Sequence, residues 1–158
     1  MAQSLNDLIL EQFPAGKKTE PGQYSPLALA FLGDAVFSLI IRTVVLSQGS
    51  RQAEKLHNET NRYVRASMQA KLIDAMQPFL SEEEAAIYRR GRNANPHHKA
   101  HSATEEDYRK ATALETLCGY LYLKGETERF LQLLRQAEEA LAEQEDGAAH
   151  EESGASKG

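Results

Sequence analysis

Cysteine is nearly absent: Cys118 stands alone in 158 residues. An internal disulfide is thereby excluded, a reducing cytoplasm is the expected compartment, and Cys118 is expected to pack as a small apolar residue. The opening stretch, MAQSLNDLILEQF, carries neither the basic start nor the small-residue cleavage site of a secretion signal. The longest apolar run, Leu27–Leu46, is broken by Asp34 and Arg42, so no clean membrane span is expected. Alternating strand patterns and internal repeats are missing too. What is left is helical periodicity in a chain long enough to bury a core, and the expectation is one all-α domain.

The net charge of −5 would ordinarily argue against a nucleic-acid partner. Its distribution reverses that. Residues 136–158 hold seven acids and one lysine, which leaves 17 basic and 16 acidic side chains elsewhere. Three segments are expected: an N-terminal segment over 1–23, a folded domain over 24–145, and an acidic, disordered tail over 146–158.

Helix punctuation is dense. Residues 4–13 read as a short helix capped by Ser4 or Asn6. Ser25-Pro26 is an N-cap followed by proline at the first helical position, and Gly49 closes the helix that follows. Residues 51–76 read as one amphipathic helix with Leu56, Tyr63, Val64, Met68, Leu72 and Met76 toward the core. Ser81 with Glu84 forms a capping box, and that helix stops at Pro96. A polar loop runs over His97–Ala103. Thr104 caps the next helix, Gly125 ends it, and a last helix is expected from Glu126 to about Gln144.

Two of these helices carry a carboxylate inside an apolar stretch: Asp34 in Leu27–Leu46 and Glu115 in Ala111–Leu123. Residues three and four apart share a helix face, so Asp34 is grouped with Ala30, Phe31, Phe37 and Ser38, and Glu115 with Ala111, Thr112, Cys118 and Gly119. A buried carboxylate must be protonated, hydrogen-bonded or bound to a cation. Two inward-facing acids from distant segments suggest a shared cation site; an Arg or helix-end amides could satisfy them instead. Gly33, beside Asp34, costs helix stability and predicts close approach of a neighbouring group. The His97-His98-Lys99-Ala100-His101 run matches no closed zinc site.

Phe31-Leu32-Gly33-Asp34-Ala35-Val36 resembles the signature helix of the ribonuclease III family, and Thr112 to Leu123 resembles that family's second acidic helix. Leu27-Ala28-Leu29-Ala30, Arg90-Gly91-Arg92-Asn93-Ala94 and Tyr108-Arg109 are similar to the short bacterial branch, Mini-ribonuclease III. The resemblance covers roughly residues 24–135. It implies a homodimeric, Mg²⁺-dependent endonuclease for double-stranded RNA, with Asp34 and Glu115 as metal ligands and catalytic acids. It also implies that Phe31 packs into the partner subunit, and that the substrate is the 23S ribosomal RNA precursor, cut to leave 5′-phosphate and 3′-hydroxyl ends. A ribosomal protein helper is possible.

Two departures from full-length ribonuclease III matter. Ala30 and Thr112 stand where that enzyme has further acids, and an acidic tail stands where it has an RNA-binding domain. RNA would then be held by the stretch Ile87–Lys110, which has a net charge of +3. The candidates are Arg90, Arg92, Asn93, Lys99 and Arg109, with Arg90, Arg92 and Asn93 able to order the loop as well as grip RNA, and Arg109 able to brace the acids. The rival expectations are a non-catalytic ribonuclease III-like RNA-binding module of the ribosome or its assembly, and a helical adapter whose acids are structural.

Overall fold

The computed structural model describes residues 3–14, 16–94 and 104–155, and these contain seven α-helices and no strand. The helices are α1 (Leu5–Gln12), α2 (Pro26–Ser47), α3 (Ala53–Val64), α4 (Ala66–Met76), α5 (Glu82–Arg92), α6 (Glu105–Leu123) and α7 (Thr127–Ala155), with 3-10 turns at Pro21–Gln23 and Gln77–Phe79. The all-α expectation therefore holds.

Side-chain caps set most of the boundaries. Ser4, Ser25, Ser81 and Thr104 each accept a bond from the backbone N–H three residues on, which satisfies an otherwise orphaned donor. Asn6 is not a cap. It is buried, and its Nδ2 donates to the Leu123 carbonyl at 3.1 Å, pinning α1 to the end of α6. Gly49 (φ +135°) and Gly125 (φ +74°) hold backbone conformations that L side chains rarely adopt, so the chain can leave α2 and α6 there.

α6 is the axis of the fold. It is buried nearly all round, from Ala111 to Tyr122, as expected of a central helix. α2, α4 and α5 pack along it, α7 lies against α4 and α6, and α3 covers α2. The core gathers Leu29, Phe37 and Ile41 of α2, Leu72, Ile73 and Met76 of α4, Leu114, Leu117, Cys118 and Leu121 of α6, and Phe130 and Leu133 of α7. Cys118 is buried and free, as expected. By length and mean hydropathy α2 could cross a membrane; its packing on α6 gives its apolar composition another use.

Backbone contact is closest where α2 crosses α6. A Cβ added to Gly33 would lie 1.7 Å from the Glu115 carbonyl oxygen, and one added to Gly119 would lie 2.1 Å from that of Leu29. The close approach expected at Gly33 is therefore real and reciprocal. Gly91 does the same for α5, where a Cβ would meet Thr116 Oγ1 at 2.6 Å.

Two expectations need correction. Residues 51–76 are two helices, because Arg65 is extended (φ −68°, ψ 150°) and serves as the N-cap of α4. The break turns α4 so that Gln69, Ala70, Leu72, Ile73 and Met76 are buried, whereas α3 buries only Thr60. Of the expected core set, Leu72 and Met76 are buried, Leu56, Val64 and Met68 are partly buried, and Tyr63 is exposed. The second correction concerns the acidic end. α7 does not stop near Gln144 but continues as an exposed helix to Ala155. Its packed part, anchored by Phe130, Leu133, Leu134 and Ala137, serves as nucleus, and Glu, Gln and Ala extend a formed helix at little cost.

Candidate active site

The glycine crossing brings the two acids together. Gly33 precedes Asp34 on α2, and its backbone contact is Glu115 on α6. The expectation that both acids face inward holds for one only. Glu115 is partly buried, whereas Asp34 is exposed. The buried arc of α2 runs through Leu29, Ala30, Gly33, Val36, Phe37, Ile41 and Val45, and Asp34 stands just beyond its edge.

Burial pushes the Glu115 carboxyl up to about 8, and the negative charge of Asp34 adds to the shift. Both causes oppose ionisation of Glu115 in the bare protein. A cation between the acids would relieve both at once. The Gln69 side chain on α4 lies beside Glu115 and draws its pKa the other way, yet its buried Nε2 closes no hydrogen bond of good geometry. Gln69 escaped the sequence reading, although a carboxamide on the buried face of an amphipathic helix is the same kind of signal as an acid in an apolar run.

The donor set fits a hard cation. Among the described residues it offers carboxylate oxygens and no thiolate, since Cys118 is buried and neutral, its thiol pKa raised by burial. Among the described residues no three His, Cys, Asp or Glu side chains gather into a cluster. Ala30 and Thr112, where further acids could have stood, are buried, and the Thr112 hydroxyl donates to the Tyr108 carbonyl at 2.9 Å. Two carboxylates leave most of an octahedral shell to water and substrate oxygens, the mode that Mg²⁺ favours.

The cationic candidates are arranged around α5 and the start of α6. Arg90 donates to the carbonyls of Gly22 (3.1 Å) and Tyr24 (2.8 Å), so it orders the segment leading into α2 and keeps its charge. Arg92 pairs with Glu106 at 2.6 Å, and Asn93 is the C-cap of α5. Arg109 pairs with Glu105 at 3.1 Å, one turn back on α6, rather than with either catalytic candidate. Lys110 reaches Asp74 of α4 at 2.8 Å. Lys99 and the three neighbouring histidines lie outside the described residues.

Phe31 is 83% exposed, the largest value among the exposed large hydrophobics of the described residues. With Leu27, Ala35 and Leu39, all exposed, it forms an apolar ridge at four-residue spacing along the outer face of α2. Asp34 adjoins that ridge.

The Ribonuclease III domain matches residues 27–126. The chain is similar to the Mini-ribonuclease 3 of Brevibacillus brevis, with 44% identity over 75% of this chain and 88% of that one. It is also similar to the Mini-ribonuclease 3 of Clostridium tetani, with 40% identity over 75% and 79% of the two chains. A crystal structure of a Fusobacterium nucleatum protein superposes with a TM-score of 0.67 at 31% identity, covering 75% of this chain and 94% of that one.

Proposed function

As the chain belongs to the ribonuclease III family and is an endoribonuclease of its Mini-ribonuclease III branch, we propose that it is a homodimeric, Mg²⁺-dependent enzyme of the cytoplasm that cuts double-stranded stems of the 23S ribosomal RNA precursor. The observation that carries the cation dependence is the Glu115 carboxyl, which burial, together with the nearby charge of Asp34, pushes up to about 8 in the bare protein. Such a site gains most from a divalent charge.

Asp34 and Glu115 would hold the cation, which when bound supplies acidification of water and stabilisation of charge on phosphate oxygens. The two side chains divide the work by position. Glu115, rooted in the central helix, is the rigid ligand; Asp34, at the exposed edge, faces the incoming backbone. Attack of water on phosphorus with departure of the 3′-oxygen leaves a 3′-hydroxyl and a 5′-phosphate.

Duplex RNA is read through phosphates, 2′-hydroxyls and shape, so fixed cations suffice for binding. Arg90, Arg92 and Arg109 are the candidate cations for such a surface, with Asn93 as a hydrogen-bonding group and Lys99 as a further cation named from the sequence alone. The apolar ridge of Leu27, Phe31, Ala35 and Leu39 suits an isologous contact with a second copy. Such a contact would set an Asp34 beside the seam on each side, one for each strand.

The test is cleavage of a ribosomal precursor stem and of an unrelated duplex, with Mg²⁺ and with chelator. Cleavage of the precursor stem in Mg²⁺ alone, at sites fewer than in the unrelated duplex, is expected. Equal cleavage in chelator would refute the cation dependence, and indifference to the stem would refute the substrate.

A further inference from the structure

α4 delivers a single polar side chain to the core. Gln69 is 1% exposed, among Ala70, Leu72, Ile73 and Met76. Buried polar groups are nearly always hydrogen-bonded, and one left unpaired lowers stability. Gln69 Nε2 is such an orphan. Leucine would fill a similar volume at that position without the penalty, so packing does not account for the amide.

The side chain lies against Glu115, across the contact of α4 with α6. An N–H donor behind a ligating carboxylate is the usual device for fixing a metal ligand's orientation, and its loss weakens metal binding about tenfold or more. With only two carboxylates at this site, the orientation of each has a large share in affinity. We infer that Gln69 is a positioning residue: its Nε2–H group donates to the Glu115 carboxylate in the cation-bound enzyme and holds it in the ligating orientation. This rests on the cation site proposed above. The orphaned donor of the bare protein is then a group pre-placed for the loaded state, held at some expense of stability.

The experiment uses the full chain and its Gln69→Leu variant, with Gln69→Met deciding the matter if the leucine variant does not fold. Mn²⁺ binding without RNA is followed by water-proton relaxation, and thermal melting is recorded without metal. The variant is expected to melt at or above the wild-type temperature, because a buried orphan has been removed, while its Mn²⁺ dissociation constant rises about tenfold. The Mg²⁺ concentration for half-maximal cleavage should rise in parallel, with the rate largely recovered at saturating Mg²⁺. A variant with wild-type Mn²⁺ affinity would overturn the inference, whether or not its melting changed. Wild-type protein that binds no Mn²⁺ would overturn the cation site itself, and the role of Gln69 with it.

Discussion

Replacing Gly33 with alanine should damage both the fold and the site, and the size of the effect follows from the crossing. The new Cβ would sit 1.7 Å from the Glu115 carbonyl oxygen, where real Cβ atoms essentially never come closer than 3.0 Å. The helices must therefore part by at least the difference, 1.3 Å. The obstacle is backbone, so no rotamer change relieves it. A gap of this size forfeits much of the dispersion contact along the crossing, and overpacking of this kind costs about 3 kcal/mol or more. The gain in helix propensity from Gly to Ala, about 1 kcal/mol, offsets part of that. A net loss of about 2–3 kcal/mol lowers Tm by roughly 4–12 °C in a domain of this size. Gly147→Ala is the control, since nothing lies within 4 Å of a Cβ there. Thermal melts of both variants by circular dichroism decide the matter, with cleavage measured at a temperature where Gly33→Ala is still folded. Activity should fall further than the folded fraction, because the same shift parts Asp34 from Glu115. A Gly33→Ala protein that melts within about 2 °C of wild type would refute the reasoning.

Other consequences follow from the same geometry. The folded-state pKa of Glu115 is raised, so the bare protein binds a proton that the unfolded chain has released; its stability should decline as pH rises from about 4.5 to about 8. Denaturant melts across that range should show the decline in wild type and a flatter profile in Glu115→Gln. Arg129 donates to both oxygens of the buried Glu84 at 2.9 Å and to the Phe79 carbonyl at 2.9 Å. Arg129→Met should cost about 2–3 kcal/mol by chemical denaturation, because it strands a buried carboxylate; a loss under about 0.5 kcal/mol would contradict this. Phe31→Asp should leave the fold of a single copy intact, since the ring is 83% exposed. In sedimentation the wild type should run as a dimer and the variant as a monomer, and a monomeric wild type would remove the proposed interface.

The parts of the fold governed by local rules were open to reading from sequence. Ser25-Pro26, the Ser81 and Glu84 box, Thr104 and the two positive-φ glycines each act over three or four residues, where the backbone geometry is a property of the segment itself. The break at Arg65 was hidden because no glycine or proline marks it and the apolar stripe runs on in register from Val64 to Met68; tertiary packing of α4 on α6 decides it. The end of α7 was hidden for another reason. Glu and Ala favour a helix and repulsion among the acids favours disorder, and composition alone does not weigh the one against the other. At the site, the sequence pointed to Asp34, Glu115 and the closeness at Gly33. It could not tell that Asp34 faces outward, because spacing along a helix assigns a face but not the neighbour that covers it. Gln69 became visible only once α4 had its own axis.

The most direct test of the central claim is duplex RNA cleavage in Mg²⁺ by the wild type beside Glu115→Gln, with RNA affinity measured for both. Cleavage by the wild type, its loss by a factor of about 10² or more in the variant, and unchanged RNA affinity are the predicted outcome. Equal cleavage by the two proteins would contradict the account, because the acid on the central helix would then not belong to the reaction.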